Sequence, residues 1–125
     1  MTERRRFSEA ELAYLQSERR LGRLATADSD GRPHVTPVGM WTFNHELGTV
    51  DVTGRDFATT RKYRNVRANP HAALVIDDLA SIDPWRPRAV VIEGAATAVT
   101  GDGVSALIRI VPTKIISWGL DSPEA

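Results

Sequence analysis

From Leu21 onward the chain divides into short apolar segments punctuated by turn residues, a pattern of strands rather than long helices. Leu21–Ala27 reads as a strand, and Asp28–Gly31 as a turn in which Gly31 can take a positive φ. His34–Phe43 reads as a second strand, forming a hairpin with the first. Pro37 has no N–H to give a ladder, so this strand is expected at a sheet edge or with a bulge at that point. Asn44–Gly48 is a second turn, and Thr49–Thr53 alternates as a third strand. His71–Ile76 is a buried strand, followed by a polar loop, Asp77–Arg88, with Trp85 between two prolines. Ala89–Val99 is a long strand in which Gly94 marks a bulge or a close approach. After a turn at Gly101–Gly103, Leu107–Val111 and Lys114–Trp118 read as two last strands around Pro112.

Two short helices complete the pattern. Ser8 and Glu11 have capping-box spacing, with Phe7 and Leu12 placed for a hydrophobic staple and Leu12 and Leu15 on one apolar face to about Ser17. A second helix starts at Thr59 or Thr60 and runs to about Ala68, where Asn69-Pro70 stops it. The expectation is a mostly β fold of six to seven antiparallel strands, closed into a barrel so that few edges remain open.

A chain of 125 residues fits one domain. At this size only about two-thirds of the unfolded surface is buried, so a deep site is easier to build between two copies than within one. Sixteen basic residues balance sixteen acidic ones, which argues against a general nucleic-acid binder. There is no cysteine, so disulfides, thiolate zinc sites and cysteine nucleophiles are excluded, in keeping with a cytoplasmic protein. No apolar run approaches the ~20 residues of a membrane span. Met1–Arg6 leads into no apolar stretch, so no secretory signal is expected. His34, His45 and His71 lack metal-ligand spacing, and no metal site is expected. No serine–histidine–acid grouping is legible, and Gly22, Gly31 and Gly39 do not make a dinucleotide fingerprint.

The basic residues are unevenly spread. Arg55, Arg61, Lys62, Arg64 and Arg67 stand against one acid, Asp56, within a single stretch. Thr59 and Thr60 sit at the expected helix start, where backbone N–H groups are unpaired and the dipole is positive. With Arg61 and Lys62 they can form a phosphate cradle; the same residues also fit a solvated basic face with a plain threonine cap.

The order of features is more informative than any one of them. Strand Val50–Thr53 leads to Thr60-Arg61-Lys62, then Asn65, Asn69-Pro70 and strand Ala72–Ile76. Gly31–Val38 precedes this series, and Arg109–Pro112 and Ser117–Leu120 close it. From about Phe7 to Leu120 the chain resembles the FMN-binding-type split-β-barrel oxidoreductases. That group includes the pyridoxamine 5′-phosphate oxidases and the deazaflavin enzymes that use coenzyme F420. The resemblance implies a homodimer with cofactor sites across the subunit interface. It implies that Thr60, Arg61 and Lys62 grip the cofactor phosphate, with Thr53 adding a hydroxyl and Asn65 supporting the cradle. Thr36, Pro37, Val38 and Gly39 would lie along the ring system, mainly through backbone groups. His34 either touches cofactor or substrate or is simply a histidine on a hairpin face. Trp118 would approach the ring or pack at the interface, and Trp85 and Arg88 would reach the partner's site.

The resemblance is closer to the F420 branch than to the FMN branch, because of the short chain, the arginine-rich segment and the Ser-Trp-Gly-Leu ending. It implies hydride transfer to an electron-poor small molecule with no general base required. The alternatives are an FMN-dependent oxidase or flavin reductase of the same fold, and a non-catalytic cofactor- or haem-binding protein. The chain lacks the extended C-terminal region of the pyridoxamine phosphate oxidases, and its short Thr100–Ala106 connection leaves little material for a lid.

Overall fold

Ser8 starts the first helix, α1 (Glu9–Ser17), with the expected reciprocal cap: Ser8 N–H donates to Glu11 Oε1 at 2.8 Å, and Glu11 N–H to Ser8 Oγ at 3.1 Å. A computed structural model describes residues 3–101 and 103–120. The buried face of α1 is Glu11, Tyr14 and Leu15 rather than Leu12 and Leu15. Glu11 tolerates burial because its second oxygen accepts from Ser117 Oγ at 2.6 Å.

Seven strands follow: β1 (Gly22–Ala27), β2 (Pro33–Val38), β3 (Met40–Asn44), β4 (Thr49–Thr53), β5 (His71–Ser81), β6 (Arg86–Gly101) and β7 (Val104–Trp118). A single 3-10 turn, Phe57–Thr59, precedes the second helix, α2 (Arg61–Ala68). The strands form one antiparallel sheet in the order β2-β1-β5-β6-β7-β4-β3. Consecutive strands β2 and β3 thus occupy opposite edges, and only Gly39 separates them. A sheet whose two edges are joined by one residue must curl round on itself. Leu24, Trp41, Val50, Val52, Leu74, Ile76, Val90, Ile92, Ile108 and Ile110 fill the interior, each 2% exposed or less.

Three sequence expectations are corrected. His34–Phe43 is two strands broken at Gly39, each half pairing with its own hairpin partner. Of the two alternatives expected for Pro37 the edge holds: β2 is an edge strand, and its register with β1 is continuous from Gly22↔Val38 to Ala27↔Pro33. The polar loop Asp77–Arg88 is mostly strand: the ladder continues through Asp77↔Ala89, Asp78↔Arg88 and Leu79↔Pro87, with Trp85 exposed at the hairpin tip. The two last strands are one, β7, bulged where Glu93↔Lys114 gives way to Gly94↔Pro112. Gly94 is indeed a close approach: a Cβ there would lie 2.8 Å from the Val111 carbonyl carbon.

Candidate functional site at the start of α2

Cross-strand partners share a sheet face. His34 pairs with Thr26, Thr36 with Leu24 and Val38 with Gly22. Thr26 and Leu24 are buried, so His34, Thr36 and Val38 turn inward, while Val35 and Pro37 turn outward. The helix α2 closes this end of the interior. Its Asn65, 6% exposed, donates Nδ2 to Thr26 Oγ1 at 3.1 Å. Tyr63 packs edge-on against Phe57 at 5.7 Å and its hydroxyl reaches the Val99 carbonyl at 3.3 Å. Asn69 Nδ2 donates to the Asp28 carbonyl at 3.2 Å. These contacts fix α2 relative to β1 and β6.

Arg61 and Lys62 are the first two residues of α2. The first N–H groups of a helix have no partner inside it. Thr60 is the cap: its hydroxyl donates to the Phe57 carbonyl at 2.6 Å and accepts from Tyr63 N–H at 3.4 Å. The Arg61 and Lys62 N–H groups remain as outward donors beside the two side-chain charges. Neither side chain forms an ion pair among the described residues. Lys62 Nζ lies 5.5 Å from the centre of the Phe57 ring. Thr53 spends its hydroxyl proton on the Ala106 carbonyl at 2.9 Å. Thr53 and Thr60 can therefore still accept, but each would break an existing bond to donate.

His34 completes the corner. Burial, followed by the charges of Arg61 and Lys62, pulls its pKa below the ordinary imidazole value. Its Nδ1 is buried and has no hydrogen-bond partner among the described residues. An anion suits this corner: a phosphate oxygen would offset the two unpaired charges and relieve their pull on the neutral His34 ring. The residues thus fit a phosphate-bearing cofactor on the structure's own terms.

Other expected site residues lie elsewhere. Gly39 is exposed at the β2–β3 corner, where Arg19 donates to its carbonyl and to that of Trp41, the latter at 3.0 Å. Arg88 grips Asp78 through two bonds of 2.8 and 2.9 Å, and Asp78 also accepts from Tyr14 and Arg20. Trp118, 49% exposed, pairs with Ala89 on the outer sheet face. Arg88 lies at one end of β6 and Val99, beside Tyr63, near the other; at ~3.3 Å per residue this is roughly 35 Å. One chain does not bring Arg88 or Trp118 to the Lys62 corner. Sequence reasoning missed Thr26, the anchor of Asn65, and Arg19, the brace of Gly39. Each is recognisable only from the partner that the fold supplies.

Comparison with known proteins gives the lineage. The family model described as pyridoxamine 5′-phosphate oxidase matches residues 8–119. The chain belongs to the pyridoxamine 5′-phosphate oxidase family. It is 40% identical over 122 residues to a 5a,11a-dehydrotetracycline/5a,11a-dehydrooxytetracycline reductase of Streptomyces rimosus, covering 92% of this chain and 84% of that one. A crystal structure of a conserved hypothetical protein from Mycobacterium tuberculosis aligns with a TM-score of 0.71 at 25% identity, covering 96% of this chain and 91% of its own. An F420 reductase aligns with a TM-score of 0.61 at 20% identity, covering 83% and 94%, a likeness of fold alone. The expectation of an oxidoreductase on the split barrel of the pyridoxamine 5′-phosphate oxidase family is borne out at that level.

Proposed function

We propose that this member of the family is a reductase using reduced coenzyme F420, with FMN as the second candidate, on an electron-poor conjugated small molecule. The observation that carries this reading is the 40% identity to a named reductase over 92% of the chain. The α2 corner supports it locally. The bound cofactor would supply a hydride, while the protein supplies position and electrostatics. Arg61 and Lys62 would hold the phosphate with side chains and N–H groups, and His34 would add a third contact. Asn65 keeps the helix start in place through Thr26. Thr36–Gly39, on an edge strand, would offer unpaired backbone groups to a flat ring system without a bulge.

A titration followed by fluorescence, with coenzyme F420 and separately with FMN, tests this. Selective binding of F420 is expected. Selective binding of FMN would move the chain to the oxidase or flavin-reductase reading, and binding of neither would remove the proposal. Lys62→Ala is expected to weaken cofactor binding about 10- to 100-fold, because charge-assisted contacts contribute roughly 1.5–3 kcal/mol. Its thermal unfolding should be unchanged, since Lys62 is at the helix surface and supports no buried contact beyond the Phe57 ring.

The proposal includes a homodimer. The outer face of the sheet carries an apolar row, Pro37, Val75, Val91 and Ile116, interrupted only by Arg23. Val35 is 65% exposed and Trp118 49% on the same face, and Ile82 and Trp85 are exposed at the hairpin tip. Burying this face against a second copy would let Trp118 approach the partner's cofactor, which one chain alone does not allow; Arg88, on the opposite face with Val90 and held by Asp78, could reach the partner only past the end of the hairpin. Ile116→Asp should give a folded monomer in sedimentation with cofactor affinity reduced at least about tenfold. A wild-type chain that is monomeric when loaded with cofactor would sink the shared-site model.

A further inference from the structure

A second concavity opens where the N-terminal segment crosses the β3–β4 turn, at the end of β3 away from Gly39. Its volume is about 410 Å³, within the ~300–1,000 Å³ usual for small-ligand sites. The floor is apolar. Phe7 and Phe43 meet edge to face with centres 5.4 Å apart, and Leu12 and Leu47 flank them. The wall is the run Arg4-Arg5-Arg6, and one carboxylate, Glu46, lies on the lining.

This arginine run is part of the fold. The Arg5 N–H donates to the Pro112 carbonyl at 2.8 Å, Phe7 packs against the core, and Ser8 begins α1. The Arg4 guanidinium stands over Gly48, whose Cα could not carry a Cβ without pressing on Arg4 Nη2 at 2.9 Å. Among the described residues none of the three guanidiniums forms an ion pair. Three like charges on one wall repel one another, and an anion between them relieves that repulsion. A guanidinium is planar, permanently charged and weakly hydrated, which suits carboxylate and phosphate oxygens. An aromatic floor suits the face or edge of another ring.

The geometry points to a binding site for a planar aromatic anion, bearing a carboxylate or phosphate, held between the Arg4–Arg6 wall and the Phe7–Phe43 floor. The site is independent of the α2 corner and of any cofactor reading.

The test is a proton–nitrogen NMR titration of the full chain with naphthoate. Two control ligands separate the parts: naphthalenemethanol has the ring without the charge, and inorganic phosphate the charge without the ring. Naphthoate should saturably shift the amide signals of Phe7, Phe43, Leu47 and Gly48. Both controls should bind at least about tenfold more weakly, since a lost charge-assisted contact is of that size. The double variant Arg4→Glu, Arg6→Glu should keep the dispersed spectrum of a folded protein. It should lose about tenfold or more in naphthoate affinity while its weak binding of the alcohol stays the same. Saturable shifts elsewhere, equal binding of the alcohol or of phosphate, no binding, or an unaffected double variant would each overturn the assignment.

Discussion

Replacing Gly94 by alanine is expected to destabilise the fold by about 3 kcal/mol or more, a large effect for one methyl group. Gly94 lies opposite Pro112 where β7 bulges, and its conformation does not itself demand glycine. What it lacks is room. A Cβ would fall inside contact distance of the Val111 carbonyl oxygen, 2.8 Å from the Val111 carbon and 3.1 Å from Pro112 Cα. All three are backbone atoms of a strand held by β6 on one side and, at Pro112, by the Arg5 N–H, so no side chain can swing away. The measurement is the denaturant midpoint, with Gly101→Ala as control, because no atom of the described residues would lie within 4 Å of a Cβ there. A loss at Gly94 no larger than at Gly101 would show that β7 shifts freely at its bulge.

Asp78→Ala should cost a similar amount, about 3 kcal/mol, by a different route. Asp78 accepts from Arg88 Nε at 2.8 Å and Nη2 at 2.9 Å, from Arg20 Nε at 2.8 Å and from the Tyr14 hydroxyl at 2.9 Å. The Arg20 side chain is 6% exposed, so removing the carboxylate leaves a buried guanidinium with only the exposed Glu18, at 3.8 Å, as counter-charge. The same cluster fixes α1 to the β5–β6 hairpin. The bonds from Arg88 hold the Asp78 carboxyl well below the usual carboxylate range, outweighing its burial, with Arg20 and Tyr14 adding to the effect. Burial and the hydrogen bond to Asp78 push the Tyr14 phenol up. Because the folded pKa of Asp78 is depressed, its stabilisation is complete above the unfolded value, about 3.9, and is lost as pH falls from there towards the folded value. Asp78→Asn should therefore be less stable near neutrality and flatter below about pH 4. Equal slopes for wild type and Asp78→Asn in that window would show that other carboxylates carry the acid response.

His34 acts in a separate window. Its folded pKa is also depressed, so the unfolded chain takes up the proton first as pH falls through about 6.5. His34→Gln should remove a shallow loss of stability beginning there, readable as a flatter dependence of the thermal midpoint between about pH 7 and pH 5.

The strands and both helices were legible because period-two burial and capping act locally. Ser8 and Glu11 show their pairing at a spacing of three residues, and the structure makes both bonds. What was illegible depended on partners far along the chain. Asp77 and Asp78 read as loop because they are charged. In the sheet Arg23 meets Asp77 at 2.6 Å and Arg88 neutralises Asp78, so the strand runs on through them. The break at Gly39 was hidden because the apolar pattern continues across it. Only the choice of different neighbours for β2 and β3 separates them. At the site, Arg61 and Lys62 announced themselves by charge, and the fold brings His34 within reach of both charges' influence. Thr60 read as a phosphate ligand, and the structure spends its hydroxyl on capping α2. Arg88 carries the same charge as Lys62, but nothing in its neighbours along the chain shows that it faces Asp78 at the opposite end of β6.

The sheet order has a consequence for how the domain assembles. β5, β6 and β7 form a meander of adjacent strands, while the β1–β2 and β3–β4 hairpins dock on its two sides through β1–β5 and β4–β7. Gly39 alone tethers those hairpins to each other. Together they behave as a two-armed ligand for the meander: once one arm has docked, the other is presented at high effective concentration, and much of its entropy loss has already been met. A flexible insertion at Gly39 would leave every contact in the sheet intact and still uncouple the arms, letting one edge open while the other stays closed.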